Sequence, residues 1–257
     1  MTVRLPVSAE QVTLREPGGR DELLLAAGSG GFALRLEAVR RLAPPLDPAI
    51  DWDQLPLADL DAALLAVRRR LIGERLMAEV RCAGCGTLGD VGFTVSDYLA
   101  AHAPNPPRGL ERDDQGWYVL GQTRLRIPTV AAYRAAAQTA RSMADLAARL
   151  EDHCIGGLTG ADRRRALRTL ERVAPLLGGE IAGQCPACEA PVYAWFEPGD
   201  FVLSELRQRA AGLYEEVHLL ASVYHWSEQA ILALPASRRS RYAQLSAARG
   251  AAPGIAA

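Results

Sequence analysis

A chain of 257 residues, 49% hydrophobic and 23% charged, has the makeup of an ordinary globular protein, long enough for one large domain or two small ones. Its formal net charge of −1 gives no electrostatic reason to expect nucleic acid or an anionic membrane as the main partner. All 29 basic residues are arginine, which we ascribe to a GC-rich coding bias seen also in the abundant Ala, Gly, Pro and Leu.

The first ten residues carry Arg4, Pro6 and Glu10 where a secretory signal needs an apolar run. The longest apolar stretch, residues 23–34, is interrupted by Gly28-Ser29-Gly30-Gly31 and is too short to span a bilayer. The expectation is a cytoplasmic chain with no membrane partner. In that reducing compartment, paired Cys-x-x-Cys motifs favour metal over disulfide.

Residues 1–55 read as a mixed N-terminal segment. Residues 11–15 alternate like a strand, Glu16-Pro17-Gly18-Gly19 signals a turn, and residues 34–42 fit a short helix ended by Ala43-Pro44-Pro45. Residues 56–72 read as a clear helix, with Leu57, Leu60, Leu64, Val67 and Leu71 at three- and four-residue steps. Asp59 and Asp61 lie in its first turn, Arg68, Arg69 and Arg70 in its last, and Gly73 follows. The helix dipole favours this charge order, so the arginine triplet reads as a helix C-terminus rather than a nucleic-acid patch.

Residues 76–81 lead as a strand into Cys82-Ala83-Gly84-Cys85-Gly86, and residues 91–95 lead out. Pro104-Asn105-Pro106-Pro107 begins a loop. Residues 117–120 and 123–127 read as a hairpin around Gly121-Gln122, with glycine supplying the positive φ of a type II′ turn. Thr129 opens a helix, Ser142 caps the next, and a third starts at Thr159 with Leu167, Leu170, Ala174 and Leu177 on one face. Gly178-Gly179 stops it. Residues 180–184 re-enter a strand, Cys185-Pro186-Ala187-Cys188 follows, and residues 192–196 leave.

Each Cys-x-x-Cys pair reads as half of a tetrahedral metal site, a tight knuckle that aims two thiolates at one point. Cys82, Cys85, Cys185 and Cys188 at about 2.3 Å satisfy Zn²⁺ completely and leave no position for a substrate. Redox Cys-x-x-Cys motifs usually cap a helix N-terminus; here a strand precedes each pair and a turn follows. The expectation is one structural Zn²⁺. Glu189 departs from the pattern, standing where a knuckle prefers glycine. Cys154 has no such partner and reads as a small buried apolar residue. The fold class expected is α+β, mostly helical: a split zinc ribbon over residues 56–198, interrupted by a helical insertion. A C-terminal helical tail over residues 199–249 and a disordered end at 250–257 follow.

Residues 200–224 read as one long helix with an a/d-type seam of Leu206, Ala210, Leu213, Val217, Leu220 and Tyr224. Docking of that seam on the chain's own core is preferred to a partner coiled coil. Glu215, Glu216 and His218 lack the second histidine that a His-Glu-x-x-His zinc protease needs. Ser227 can cap a short helix carrying Ile231, Leu232 and Leu234, and Pro235 starts a last helix with Arg238, Arg239, Arg241 and Tyr242. Trp and Arg are enriched where interfaces concentrate binding energy, so Trp226 and this arginine cluster are candidate contacts.

The run Glu216-Val217-His218-Leu219-Leu220-Ala221, Tyr224-His225-Trp226-Ser227-Glu228, Ile231-Leu232-Ala233-Leu234 and Arg238-Arg239-Ser240-Arg241-Tyr242 resembles the signature of the T-even-phage-type baseplate proteins. That family takes in phage baseplate hub proteins and relatives in bacterial contractile tail-like clusters. The segment Arg124-Leu125-Arg126-Ile127-Pro128-Thr129 is similar to an internal family segment, and two Cys-x-x-Cys pairs occur in some bacterial members. The resemblance implies a non-enzymatic structural or assembly role in the baseplate or hub of a contractile tail or injection system. Its partners would be baseplate, hub or spike proteins, met in the cytoplasm or within a phage-tail-like particle. Trp226, Glu228, Arg238, Arg239, Arg241 and Tyr242 are the candidate partner-binding residues. The family carries no catalytic residues over. The residues agree, with no Gly-rich phosphate loop and no nucleophile motif; His153 beside Cys154 is the one pair of reactive neighbours. The alternative is a zinc-ribbon nucleic-acid-binding regulator, since such proteins also use ribbons and three-helix tails.

Overall fold

The computed structural model describes residues 2–28, 30–43 and 50–250. Pro44-Pro45, expected to end a helix, and the terminal segment 251–257, expected to be disordered, lie outside the described residues.

The chain opens with a short antiparallel pair, β1 (Thr2–Arg4) and β2 (Gln11–Thr13), with Val3 opposite Val12. Helices α1 (Gly19–Ala27), α2 (Phe32–Leu42) and α3 (Leu57–Leu71) follow. Helix α3 is buried along nearly its whole length. Its leucine stripe meets one side of the core, while Ala62, Ala63, Leu65 and Ala66 are covered on the others. Its stretch from Ala62 to Val67 is apolar all round, and such a stretch belongs in the middle of a protein, not on its surface. Its Asp59 is fully buried and is satisfied by the turn between β1 and β2, accepting the N–H groups of Val7 and Ser8 at 2.8 Å each. Leu5, Val12, Leu14, Leu25, Val39 and Leu42 thereby share one buried cluster with α3. The arginine triplet ends α3 as expected. Arg69 and Arg70 pair with Glu74 and Glu16, while Arg68 turns inward.

Strands β3 (Arg75–Arg81) and β4 (Leu88–Thr94) form an antiparallel hairpin, with Arg75 opposite Thr94 and Arg81 opposite Leu88. A short helix α4 (Val95–Ala101), not anticipated, begins where Thr94 Oγ1 accepts the Asp97 N–H at 3.0 Å. The insertion then contains a three-stranded sheet of β5 (Glu111–Arg112), β6 (Tyr118–Leu120) and β7 (Thr123–Leu125), turning at Gly121 with φ +60°. Helices α5 (Val130–Thr139), α6 (Met143–Ile155) and α7 (Gly160–Val173) complete it. Thr129 and Ser142 cap α5 and α6 by accepting the N–H groups of Ala132 and Asp145. Cys154 is buried among Ile155 and Ala166, and that burial pushes its thiol up to about 12. A second hairpin, β8 (Gly179–Gln184) with β9 (Pro191–Phe196), closes the insertion.

The expected long helix over residues 200–224 is two helices, α8 (Pro198–Ala211) and α9 (Leu213–Tyr224), divided at Gly212. Glycine is the weakest helix former after proline, and here φ −78°, ψ −5° ends the first helix. The seam therefore splits. Leu206 joins the main core beside Val202 and Leu203, whereas Val217, Leu220 and Tyr224 pack against Ile231 and Ala243 in a separate cluster. Helices α10 (Glu228–Ala233) and α11 (Ala236–Gly250) supply those partners, α10 being capped by Ser227. The seam serves the chain's own packing. No described helix is long and apolar enough to cross a membrane.

Three arginines tie this C-terminal third to the N-terminal helices. Arg68 forms a bidentate pair with Glu205 at 2.7 and 2.8 Å and donates to the Gly73 carbonyl at 2.6 Å. Arg35 reaches Glu197 at 2.7 Å and Asp200 at 2.8 Å, with Asp61 3.8 Å away. Arg239, 1% exposed, bridges Glu22 of α1 and Glu216 of α9 at 2.7 Å each. Removing one member of a buried pair leaves the other charge unpaired, so Arg239→Ala is expected to cost about 3–5 kcal/mol, read from urea denaturation. A loss under 1 kcal/mol, about the worth of a surface pair, would refute this role.

Burial and the neighbouring Glu197 push Asp61 up to about 7 despite Arg35. The folded chain therefore holds this proton to higher pH than the unfolded chain, and its contribution to stability falls as pH rises from about 4 to about 7. Asp61→Asn should gain stability relative to the parent across that window, measured as melting temperature against pH. A difference that stays flat would contradict the assignment.

Candidate metal centre

The two hairpins end in matching turns. Cys82 N–H donates to the Thr87 carbonyl and Gly86 N–H to the Cys82 carbonyl, both at 2.9 Å. Cys185 N–H donates to the Ala190 carbonyl and Glu189 N–H to the Cys185 carbonyl, again both at 2.9 Å. Each turn reverses the chain on a left-handed residue at the same position, Gly86 at φ +74° and Glu189 at φ +59°. The hairpins pack against one another through Cys82, Val91, Cys185 and Val192, flanked by Val80, Ile181 and Ala190. This small apolar floor sets the two turns facing each other.

The four expected cysteines come together. Their sulfurs all lie within 4.8 Å of one another; Cys82 Sγ is 3.7 Å from Cys188 Sγ, and Cys85 Sγ is 3.6 Å from Cys185 Sγ. A disulfide would bring two sulfurs to about 2.05 Å. Four bonds of about 2.3 Å to a tetrahedral ion place the sulfurs about 3.8 Å apart. The spacing is therefore that of ligands around one ion, and the four cysteines could hold a metal ion. Cys82 and Cys185 are buried, while Cys85 and Cys188 are exposed.

Hydrogen bonds prepare two of these sulfurs for negative charge. The N–H groups of Cys85 and Gly84 lower the Cys82 thiol. The Thr87 hydroxyl and N–H bring Cys85 down to about 6. The Ala190 N–H acts in the same direction on Cys188, but the three facing sulfurs outweigh it and push that thiol up to about 12. Four thiols in contact resist joint ionisation, and a cation at their centre removes that resistance. Thr87 is the contact that the sequence reading passed over: its Oγ1 lies 3.3 Å from Cys85 Sγ. Its place two residues past a Cys-x-x-Cys, where the turn doubles back, is the signal.

The expected partner-binding residues are less uniform. Arg239 is corrected: it is a buried ion-pair centre, drawn inward by Glu22 and Glu216, and has no surface to offer. Trp226 is half-buried, stacked on Tyr224 at 4.8 Å and edge-on to Tyr242 at 5.1 Å. It holds the corner between α9 and α10 against α11. Arg238 lies over the Tyr242 ring at 5.7 Å, and Glu228, Arg238 and Arg241 are exposed. No family model, curated protein or solved structure matches this chain.

A Cβ on Gly86 would meet open space, so Gly86→Ala isolates the cost of the left-handed backbone. It should destabilise by about 1–2 kcal/mol. Glu189→Gly, at the matching position, should stabilise by up to about 1 kcal/mol, net of the greater freedom of the unfolded chain. Urea midpoints that move the opposite way would contradict the paired geometry of the two turns.

Proposed function

We propose that this chain is a zinc-clasped, non-enzymatic structural or assembly protein of the baseplate or hub of a phage-like contractile tail or injection system. The observation that carries the zinc part of the reading is the four-cysteine cluster. An all-thiolate donor set is soft, which favours zinc over magnesium, calcium or manganese, and zinc takes four sulfurs tetrahedrally without strain. Cys82, Cys85, Cys185 and Cys188 would hold it, and no coordination position would remain for water or substrate. The ion would therefore act on the fold, joining two hairpins whose cysteines Cys85 and Cys185 stand 100 positions apart in the chain.

The baseplate part of the reading rests on the resemblance of residues 216–242, which lie on α9, α10 and α11. Buried Leu220, Ile231 and Arg239 explain part of that signature as internal packing. What remains for a partner is the exposed set Glu228, Arg238 and Arg241, with the free edges of Trp226 and Tyr242 beside it. Arginine offers bidentate, weakly hydrated contacts suited to a carboxylate-bearing protein surface.

Affinity purification of the tagged full-length chain from its native cell, followed by mass spectrometry, tests the proposal. Baseplate, hub or spike proteins should be enriched, and the double variant Arg238→Ala/Arg241→Ala should reduce their recovery while leaving the melting temperature unchanged. Recovery of nucleic acid that washes off steeply with salt, without tail proteins, would overturn it in favour of the regulator reading.

A further inference from the structure

We propose that the cavity between the β5–β7 sheet and helices α5 and α6 binds a phosphate group carried on a small organic body. The cavity has a volume of about 510 Å³, within the range of small-molecule sites. Three elements of the insertion deliver its cationic and polar groups: Arg112 from β5, Arg126 from the end of the β7 hairpin, and His153 from the last turn of α6. Gln54, Gln115 and Thr129 add further hydrogen-bonding groups, while Ile127, Ala132 and Ala135 form an apolar wall.

The charge of this lining is not balanced locally. None of the lining residues is acidic. Asp113 is engaged by Arg124, and Glu151 and Asp152 by Arg163, while Glu111 and Asp114, next in sequence to lining residues, are exposed and do not line the cavity. Arg126 has no carboxylate partner among the described residues. Its guanidinium instead stacks over the Trp117 ring at 4.1 Å, and its backbone N–H donates to the Cys154 carbonyl at 2.7 Å, beside His153. Arg112 lies over Tyr118 at 5.7 Å. Stacking holds the plane of a guanidinium while leaving its N–H edge free to donate.

The number and directions of the donors select the anion. A carboxylate has two oxygens in one plane, which a single arginine fork can span. Two guanidinium groups, an imidazole and amide donors lining one cavity from separate elements suit a group with three or four acceptor oxygens. The volume exceeds what a bare phosphate fills, and the apolar wall gives the attached body somewhere to lie. This segment includes Arg124 to Thr129, which the baseplate reading leaves without a role.

Isothermal titration of the full-length protein at low ionic strength tests the site, with inorganic phosphate, a nucleoside monophosphate, the matching nucleoside and acetate as probes. Saturable binding is expected for the two phosphate-bearing probes, tighter for the monophosphate, together with a change in Trp117 emission. Arg126→Gln and Arg112→Gln should each weaken binding about tenfold or more. Arg164→Gln, exposed on α7 outside the cavity, should leave it unchanged. Should Arg126→Gln fail to fold, Arg112→Gln and the parent titrations decide. No saturable binding of either phosphate probe, equal binding of the nucleoside or acetate, or wild-type affinity in a folded variant would each overturn the proposal.

Discussion

Four cysteine sulfurs crowded to 3.6–3.7 Å in crossed pairs impose the constraint on which the body of this protein depends. Uncharged thiols at that distance gain little, and four thiolates would repel one another strongly in so small a volume. The N–H groups facing Cys82 and the Thr87 hydroxyl and N–H facing Cys85 favour ionisation of those two, the facing sulfurs hold Cys188 back, and a cation at the centre would relieve that opposition. With the ion in place, the turns after β3 and β8 become a cross-link. Everything between them, the three-stranded sheet and helices α4 to α7, is an excursion from a closed base. The apolar floor of Val91 and Val192 alone is small, which is the situation in which structural metal sites contribute most to folding.

Around that base the chain uses a second device, arginine forks in partly dry surroundings. Arg35, Arg68 and Arg239 each join an N-terminal or central helix to the segment after Glu197. Their partners are supplied by helix starts and neighbouring helices, so each ion pair fixes how one element leans on another. The hydrophobic core supplies the bulk of the stabilisation, with α3 at its centre. The arginines specify the arrangement. The C-terminal helices are held together by these buried pairs and by the Tyr224–Trp226–Tyr242 ring cluster.

Features with a local chemical grammar were legible in the sequence. The cysteine pairs, the dipole-ordered charges on α3 and the caps at Thr129, Ser142 and Ser227 each depend on residues a few positions apart, and each stands where expected. Helix α4 was missed because seven residues are too few for a periodic signal; Thr94 with Asp97 three positions on was its only mark. The break at Gly212 was hidden because the apolar seam runs through it in perfect phase. Arg239 was misread for the opposite reason. Its inward turn is caused by Glu22, 217 positions away, and no local pattern carries that information. The cavity residues Arg112, Arg126 and His153 are likewise a product of tertiary convergence.

The central claim is that the four sulfurs clasp one zinc ion with no other ligand. X-ray absorption at the zinc edge, on protein purified without added metal and with its metal content measured, tests it most directly. The account predicts one zinc per chain and a first shell of four sulfurs at about 2.3 Å. A metal-free folded protein, a shell containing nitrogen or oxygen, or a cluster oxidised to disulfides would contradict it.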